Sequence, residues 1–162
     1  KESVLSHFTV PATQVTLEAE VGDFIEGLHL EDPLILAPDR GAVPFVAAVA
    51  SRRGWETDHL EKTRLSGEEV RIEPRKGGPW TGAVVLVDDI ISTGGTLAAA
   101  ARMLRARGAR GVHAVCVHGL FAGDALGLLR SAGINQIAAS DTIESENSLY
   151  SAAGPLARAL SR

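Results

Sequence analysis

The middle of the chain reads Val85-Leu86-Val87-Asp88-Asp89-Ile90-Ile91-Ser92-Thr93-Gly94-Gly95-Thr96. With Ala83 and Val84, the apolar start of this stretch forms a continuous run, which is typical of a strand buried on both faces of a parallel sheet. The polar run leads into helical spacing over residues 96–107, and Gly108 stands where a helix usually ends. The stretch therefore predicts a buried strand at 83–88, a polar loop and then a helix.

The same alternation of strands and helices continues on both sides of this stretch. Apolar runs predict further strands at 33–37, 111–117 and 137–140. Helical spacing predicts helices at 13–28, 43–50, 123–130 and 155–160. Extended segments are expected at 57–65 and 69–73 around a turn at Ser66-Gly67, with a second turn at 75–79. This order predicts an α/β protein with an open parallel sheet, helices on both faces, and a single domain over 1–162.

The composition argues against several classes of protein. The 16 basic and 20 acidic residues give a formal net charge of −4, which argues against a protein that binds nucleic acid by broad phosphate neutralisation. Apolar residues make up 45% of the chain, but no apolar run approaches the roughly 18 residues that a membrane span needs. The single cysteine, Cys116, is expected in the core and indicates a reducing compartment. We therefore expect a cytoplasmic protein that binds neither membranes nor nucleic acid.

A candidate anion-binding loop lies at the start of the predicted helix. It consists of Ser92, Thr93, Gly94, Gly95 and Thr96. Glycines let the backbone approach an anion closely, while hydroxyls and the N–H groups of a helix start are donors. Neither a Gly-Lys-Ser phosphate loop nor a G-x-G-x-x-G motif is present, which disfavours the common nucleotide folds. The loop could simply begin a helix, but five polar or glycine residues in a row after two aspartates favour a phosphate monoester as ligand.

Asp88 and Asp89 stand side by side at the end of the strongest predicted strand. Adjacent carboxylates repel each other unless they are solvated or given hydrogen-bond donors. Vicinal sugar hydroxyls are such donors and a hydrated divalent cation is another, whereas a solvated turn or a helix cap is the simpler alternative. Beside a phosphate loop, the pair favours a pentose 5-phosphate site.

Polar residues follow each predicted core strand at once. The groups are Asp39-Arg40-Gly41, Asp88-Asp89, His118-Gly119 and Asp141-Thr142. In a parallel sheet all four lie where the carboxyl ends of the strands meet, and open α/β sheets bind ligands at that edge. The alternation of strands and helices alone would produce part of this pattern. His118 could touch a substrate there, or it could be a structural histidine bonded to a loop.

Residues 85–96 resemble the binding motif of type I phosphoribosyltransferases and of ribose-phosphate diphosphokinases (PRPP synthetases). Further segments resemble the diphosphokinases in particular. They are Leu-Ala-Pro-Asp-Arg-Gly at 36–41, Leu-Glu-Lys-Thr-Arg at 60–64, Val-His-Gly-Leu-Phe at 117–121 and Ser-Asp-Thr-Ile at 140–143. The resemblance covers nearly the whole chain and is greatest to the archaeal form of the family. It implies a type I phosphoribosyltransferase-like fold.

The resemblance also implies an activity, which is the transfer of diphosphate from ATP to ribose 5-phosphate with Mg²⁺, giving PRPP and AMP. On the matching positions, Asp88 and Asp89 would hold the ribose hydroxyls. Residues 92–96 would hold the 5-phosphate. Ser92 stands where many bacterial members have aspartate, so the resemblance carries no metal role to that position.

Two further segments receive roles from the resemblance alone. Lys62 and Arg64, on a mobile segment, would stabilise the transferring phosphoryl oxygens. Asp39 would lie near the diphosphate and the metal. Without the resemblance, Lys62 and Arg64 would be interpreted as part of a solvated charged hairpin.

Members of this family have two similar domains in tandem, and the chain resembles the second. The resemblance therefore implies one half of a homo-oligomeric enzyme, with much of the ATP site on the other domain. Two alternatives stay open. One is a phosphoribosyltransferase that uses PRPP to modify a base, and the other is a non-catalytic domain that senses PRPP or ribose phosphate. The segment with Lys62 and Arg64 favours the diphosphokinase over both.

Overall fold

A computed structural model of the chain describes residues 5–66, 69–76 and 80–161, with side chains described outside 62–72. The helices are α1 (Glu18–Glu26), α2 (Val43–Ser51), α3 (Gly95–Ala106), α4 (Ala125–Ser131) and α5 (Ala153–Leu160). The strands are β1 (Leu34–Ala37), β2 (Thr57–Ser66), β3 (Glu69–Pro74), β4 (Ala83–Ile91), β5 (Gly111–Gly119), β6 (Gln136–Ser140) and β7 (Ser148–Tyr150).

The described strands form one seven-stranded sheet in the order β3-β2-β1-β4-β5-β6-β7. β2 and β3 are antiparallel, whereas the other neighbouring pairs are parallel. The chain moves outward in one direction from β1 to β2 and in the other direction from β4 to β5. The crevice between the loops after β1 and β4 is therefore a topological switch point, the usual ligand site of an open α/β sheet.

Separate apolar clusters cover the two faces of the sheet. Because side chains alternate along a strand, Val84 and Leu86 of β4 pack in the cluster of α3 and α4, while Val85 and Val87 pack in the cluster of α1 and α2. All four of these side chains are fully buried, which stabilises the fold by about 1.5–3 kcal/mol each. The predicted parallel sheet with helices on both faces is confirmed. No described helix is long and apolar enough to cross a membrane.

The β2–β3 pair extends beyond the rest of the sheet at its carboxyl edge. β1 ends at Ala37, which pairs with His59 of β2, but β2 continues to Ser66. At roughly 3.3 Å per residue, this extension is about 23 Å long. β3 pairs with it, with Lys62 opposite Ile72 and Arg64 opposite Val70. The two predicted extended segments are thus confirmed as neighbouring strands, while Gly67 and residues 77–79 of the two predicted turns lie outside the described residues.

Several predicted boundaries are wrong for identifiable reasons. The helix predicted at 13–28 begins only at Glu18, because β-branched residues at 13, 15 and 16 disfavour a helical backbone. β4 does not end at Asp88 but continues to Ile91, since β5 is also longer and pairs with it as far as Ile91↔Gly119. The short edge strand β7 was not predicted, because three residues give no periodic signal. Cys116 is buried in β5, as expected.

Candidate functional site

Polar residues of four adjacent parallel strands meet at one edge of the sheet. Asp39 follows β1, Asp88 lies near the end of β4, His118 lies near the end of β5, and Thr142 follows β6. The predicted coincidence of polar residues at the carboxyl edge is therefore confirmed. The loops after β1 and β4 enclose the switch-point crevice, which is where open α/β sheets usually bind their ligands.

The start of α3 is open to an anion. Gly94 occupies the cap position, and no described side chain caps this helix start. The N–H groups in the first turn of a helix have no partner inside the helix, and the positive end of the helix dipole lies there. A cavity of about 170 Å³ adjoins it, lined by Asp88 and residues 90–97. A phosphate group in this cavity would meet backbone donors, and the hydroxyls of the lining residues could add more.

Gly94 and Gly95 meet different requirements. Gly94 has φ +73°, in the left-handed region that favours glycine, and a Cβ there would lie 3.1 Å from Cγ of Leu129. A Cβ at Gly95 would meet nothing within 4 Å, although Gly95 lines the cavity. Gly94 is therefore needed for the loop to pack against α4, whereas Gly95 keeps the cavity open.

The carboxyl groups of Asp88 and Asp89 differ in exposure. Asp88 is half-buried and Asp89 is exposed. Burial is the main cause that raises the pKa of Asp88 to about 7, and the negative charges of Asp89 and Asp39 act in the same direction. The N–H of Asp89 donates to Oδ1 of Asp88 at 2.9 Å, which opposes the shift. Hydroxyl donors from a ligand would relieve this unfavourable environment.

Asp39 shapes the loop between β1 and α2. Its Oδ1 accepts hydrogen bonds from the N–H groups of Gly41 at 2.7 Å and Ala42 at 3.3 Å. One carboxylate oxygen of Asp39 is thus used to hold the turn that leads into α2. The Asp39 charge is still close enough to Asp88 to help raise the pKa of Asp88.

Arg40 joins this loop to the extension of β2. Nη2 of Arg40 lies 2.9 Å from Oε1 of Glu61, and Nε2 of His59 lies 3.4 Å from the same oxygen. The hydrogen bond from Arg40 is the main cause that holds the pKa of Glu61 below its ordinary value. This pair was not predictable from the sequence, because its two residues are 21 positions apart and each belongs to a different motif.

His118 belongs to a network of hydroxyl groups. Its Nδ1 lies 2.8 Å from Oγ1 of Thr142. Ser140, which is fully buried, donates to the carbonyl oxygen of Val117 at 2.7 Å. Thr142 can donate to the same carbonyl or to Ser140, and its oxygen then accepts from Nδ1 of His118 in the tautomer that carries the ring proton there. The bond to the loop after β6 matches the structural role that was one of the two alternatives for His118.

Asp141 contacts the start of α5. Its Oδ1 accepts from the N–H of Ala152 at 2.7 Å, and its other oxygen accepts from the hydroxyl of Ser151. The backbone N–H of Ala152 is the main cause that lowers the pKa of Asp141. Asp141 therefore stabilises the start of α5, although the sequence pattern grouped it with the site residues.

A second, larger cavity lies beside the aspartate pair. Its volume is about 510 Å³, and Asp89, Ile90, His118, Phe45 and residues 14–18 contribute to its lining. The segment 14–18 was predicted to be helical and was not expected at the site. The backbones of Lys62 and Arg64 lie in the extension of β2, and their side chains are outside the described part of the structure.

Residues 13–125 match the family model of the phosphoribosyl transferase domain. The chain belongs to the phosphoribosyl transferase domain family. In this phosphoribosyl transferase domain, the matched range contains the anion loop, the aspartate pair and the loop after β1. The type I phosphoribosyltransferase-like fold expected from the sequence is confirmed.

Curated relatives and a solved structure show which kind of enzyme in the family the chain is similar to. The chain is 45% identical over its whole length to a ribose-phosphate pyrophosphokinase of Methanosarcina acetivorans and covers 57% of that protein. It is 43% identical over 96% of its length to the enzyme of the same name from Methanopyrus kandleri and covers 54% of it. The crystal structure of phosphoribosylpyrophosphate synthetase from Mycobacterium smegmatis matches 99% of the chain with TM-score 0.82 and 26% identity, over 55% of that chain. The resemblance to archaeal ribose-phosphate diphosphokinases is confirmed, and the chain spans about half the length of these relatives.

Proposed function

We propose that the phosphoribosyl transferase domain supplies the ribose 5-phosphate site of a ribose-phosphate diphosphokinase. The observation that carries this proposal is the half-buried Asp88 with its neighbour Asp89, at the same cavity as a helix start without a side-chain cap. Carboxylates accept hydrogen bonds from sugar hydroxyls, and a helix start binds phosphate. One pentose 5-phosphate would satisfy both. The similarity to ribose-phosphate pyrophosphokinases along the whole chain supports the same substrate.

In the proposed reaction, the 1-hydroxyl oxygen of ribose 5-phosphate forms a bond to the β-phosphorus of ATP. The bond between that phosphorus and the oxygen bridging to the α-phosphate breaks, so AMP leaves and the hydroxyl proton passes to solvent. Such transfers depend mostly on positioning and on neutralisation of charge. Residues 92–96 would fix the 5-phosphate, Asp88 and Asp89 would fix the ribose, and Lys62 and Arg64 would supply positive charge to the transferring group.

Mg²⁺ fits this edge of the sheet as the proposed cofactor. Within the described residues, no group of three or more His, Cys, Asp or Glu side chains could hold a metal alone. Mg²⁺ usually binds one or two carboxylates together with substrate phosphates, so it needs no such group. The charges of Asp39 and Asp89 that raise the pKa of Asp88 are charges that a cation would neutralise. We place the ion at Asp39, where it would neutralise phosphate oxygens when bound.

The proposal includes a second domain and a homo-oligomeric, cytoplasmic enzyme. The relatives that match the chain are nearly twice its length, which supports a second domain. Leu149, Leu156 and Leu160 expose 45%, 46% and 88% of their surface, and such apolar groups favour contacts with another domain or subunit. The single buried thiol, Cys116, supports a reducing compartment.

Thermal denaturation of the chain tests the ribose phosphate site. Ribose 5-phosphate at 100 times its dissociation constant should stabilise the fold by about 2.7 kcal/mol. Ribose and inorganic phosphate, used separately, should each stabilise it far less, because each fills only part of the site. If ribose 5-phosphate gives no shift at saturating concentrations with folded protein, the proposed site is wrong.

The larger cavity supports a second candidate, a phosphoribosyltransferase that transfers ribose phosphate to a base. Phe45 and Ile90 supply apolar walls next to Asp89, and a planar base could lie between them. Chromatography of reaction products from the whole enzyme separates the two functions. AMP formed from ATP and ribose 5-phosphate supports the diphosphokinase, whereas base-dependent release of diphosphate from PRPP supports the second candidate.

A further inference from the structure

We propose that Phe121 is a positioning residue for the anion loop, residues 92–96. Its strained backbone turns the chain after β5 onto the start of this loop, and its ring holds that turn in place. The inference rests on the proposed function, because it assumes that the loop binds the phosphate of ribose 5-phosphate. It gives a role at the site to a residue that lines neither of the two cavities described above.

The backbone of Phe121 has a conformation that bulky residues rarely adopt. Its φ is +44°, in the left-handed region, where the Cβ comes too close to the following carbonyl oxygen. The other described non-glycine residues with positive φ are His29 and Asp32, and both residue types occur there more readily. Strain of this kind lowers stability and persists only where surrounding contacts hold it, and strained residues cluster at ligand sites. The contacts of Phe121 therefore indicate what its strain is used for.

The strained turn directs three backbone N–H groups at the beginning of the anion loop. The N–H groups of Leu120 and Phe121 donate to the carbonyl oxygen of Ile91 at 3.0 Å and 3.2 Å. The N–H of Ala122 donates to the carbonyl oxygen of Ser92, the first residue of the anion loop, at 3.1 Å. These bonds continue the pairing of β4 with β5 beyond the end of the sheet, so the anion loop starts from a fixed position.

The ring of Phe121 occupies space that only a glycine leaves free at position 119. A Cβ at Gly119 would collide with the ring and would lie 2.7 Å from Cβ of Ala139 in β6. The ring also packs against the apolar cluster of α3 and α4. Because these contacts hold the ring, they keep the backbone of Phe121 in the left-handed region.

The connection from β5 into α4 thus contacts the anion loop at two places. The N–H groups of residues 120–122 hold the beginning of the loop, and Leu129 of α4 packs against Gly94. A loop that already has its binding conformation loses less freedom when the ligand binds, which raises the affinity. Phe121 therefore contributes to phosphate affinity without touching phosphate.

NMR titration of the chain with ribose 5-phosphate and with inorganic phosphate tests the proposal. Phe121→Ala should weaken the binding of both ligands by about 3- to 10-fold, because the anion loop must then be ordered on binding. Phe121→Gly should also weaken both, since the ring is absent even though glycine tolerates the positive φ, and it replaces Phe121→Ala if that variant does not fold. Gly119→Ala should have the same effect with residue 121 unchanged, because the added methyl group displaces the ring.

Phe24→Ala is the matched control. It removes the same side chain from α1 on the opposite face of the sheet, where the ring of Phe24 contacts that of Tyr150. At a temperature where all variants are folded, Phe24→Ala should leave both affinities unchanged. Hydrogen exchange gives a second readout. The N–H groups of Leu120 and Ala122 should exchange faster in Phe121→Ala than in wild type, and at the wild-type rate in Phe24→Ala.

The outcomes separate this inference from the proposed function. Unchanged affinities of the Phe121 variants for both ligands, with wild type binding them, would overturn this inference alone. An equal loss of affinity in Phe24→Ala would overturn it as well, because the loss would then follow from lower stability and not from the contact with the anion loop. If wild type does not bind ribose 5-phosphate, the proposed function is wrong and this inference falls with it.

Discussion

Replacing Asp88 by Asn should stabilise the folded domain at pH 8 relative to wild type. Burial, with the charges of Asp89 and Asp39, raises the pKa of Asp88 to about 7. A carboxyl group whose pKa is raised by folding binds its proton more tightly in the folded state. Its contribution to stability is therefore complete below the unfolded-state pKa and is lost as the pH rises through about 7. Asn has no proton to lose, and its oxygen can still accept the N–H of Asp89.

The size of the effect follows from the size of the shift. One pKa unit corresponds to about 1.36 kcal/mol, so a rise from 3.8 to about 7 sets an upper limit of about 4 kcal/mol. Asp88 is only half-buried, and water reduces this value. We expect the stability of Asp88→Asn relative to wild type to increase by about 1–2 kcal/mol between pH 4 and pH 8.

Urea denaturation at pH 4, 6 and 8 measures this difference, with Asp89→Asn as the matched control. Asp89 is exposed, but its charge contributes to the shift at Asp88, so its replacement should give a smaller part of the gain. A difference between Asp88→Asn and wild type that does not vary with pH would refute the reasoning. Both variants should bind ribose 5-phosphate more weakly than wild type at pH 8, which tests the sugar contact independently of stability.

Three further predictions follow from the site. Gly94→Ala should lower the free energy of unfolding by about 1–3 kcal/mol because φ of Gly94 is positive, whereas Gly95→Ala should fold normally but bind ribose 5-phosphate less well. Thermal denaturation with and without ribose 5-phosphate measures both effects, and equal losses of stability in the two variants would contradict this prediction. In the whole enzyme, Lys62→Ala should reduce turnover on the order of 100- to 1,000-fold with little change in ribose 5-phosphate affinity, and unchanged AMP formation by chromatography would remove Lys62 from the mechanism. Thr142→Val should change the balance of the two tautomers of His118, because Nδ1 loses the hydroxyl group that it contacts. Unaltered ¹⁵N chemical shifts of the imidazole ring would show that Thr142 does not set the tautomer.

The sequence predicted the architecture because the strongest signals for it are local. Each core strand is a continuous apolar run, and runs of this kind occur when both faces of a parallel sheet are covered. Strand ends were less predictable. β4 runs past Asp88 because it pairs with β5, and pairing between distant segments leaves no trace in either segment alone. The edge strand β7 is too short to show any period.

In the candidate site, too, the features with a local sequence signal were predictable and the long-range contacts were not. The anion loop at 92–96 was visible because its glycines and hydroxyls are consecutive and open a helix. The Arg40–Glu61 pair and the His118–Thr142 bond were not visible, since each joins residues more than 20 positions apart. The roles of Lys62 and Arg64 came from the resemblance alone, and they stay predictions.

The contact between Leu129 and the loop at Gly94 matters for protein engineering. Leu129 lies in the core and does not line the cavity, yet it limits the room behind the loop at Gly94. A redesign of α4 for higher thermal stability could therefore change ligand affinity without altering any residue that lines the cavity. A larger side chain at 129 would push the loop toward the cavity, and a smaller one would let the loop move back. Stabilising designs of this domain should keep Leu129 and vary the exposed positions of α4 instead.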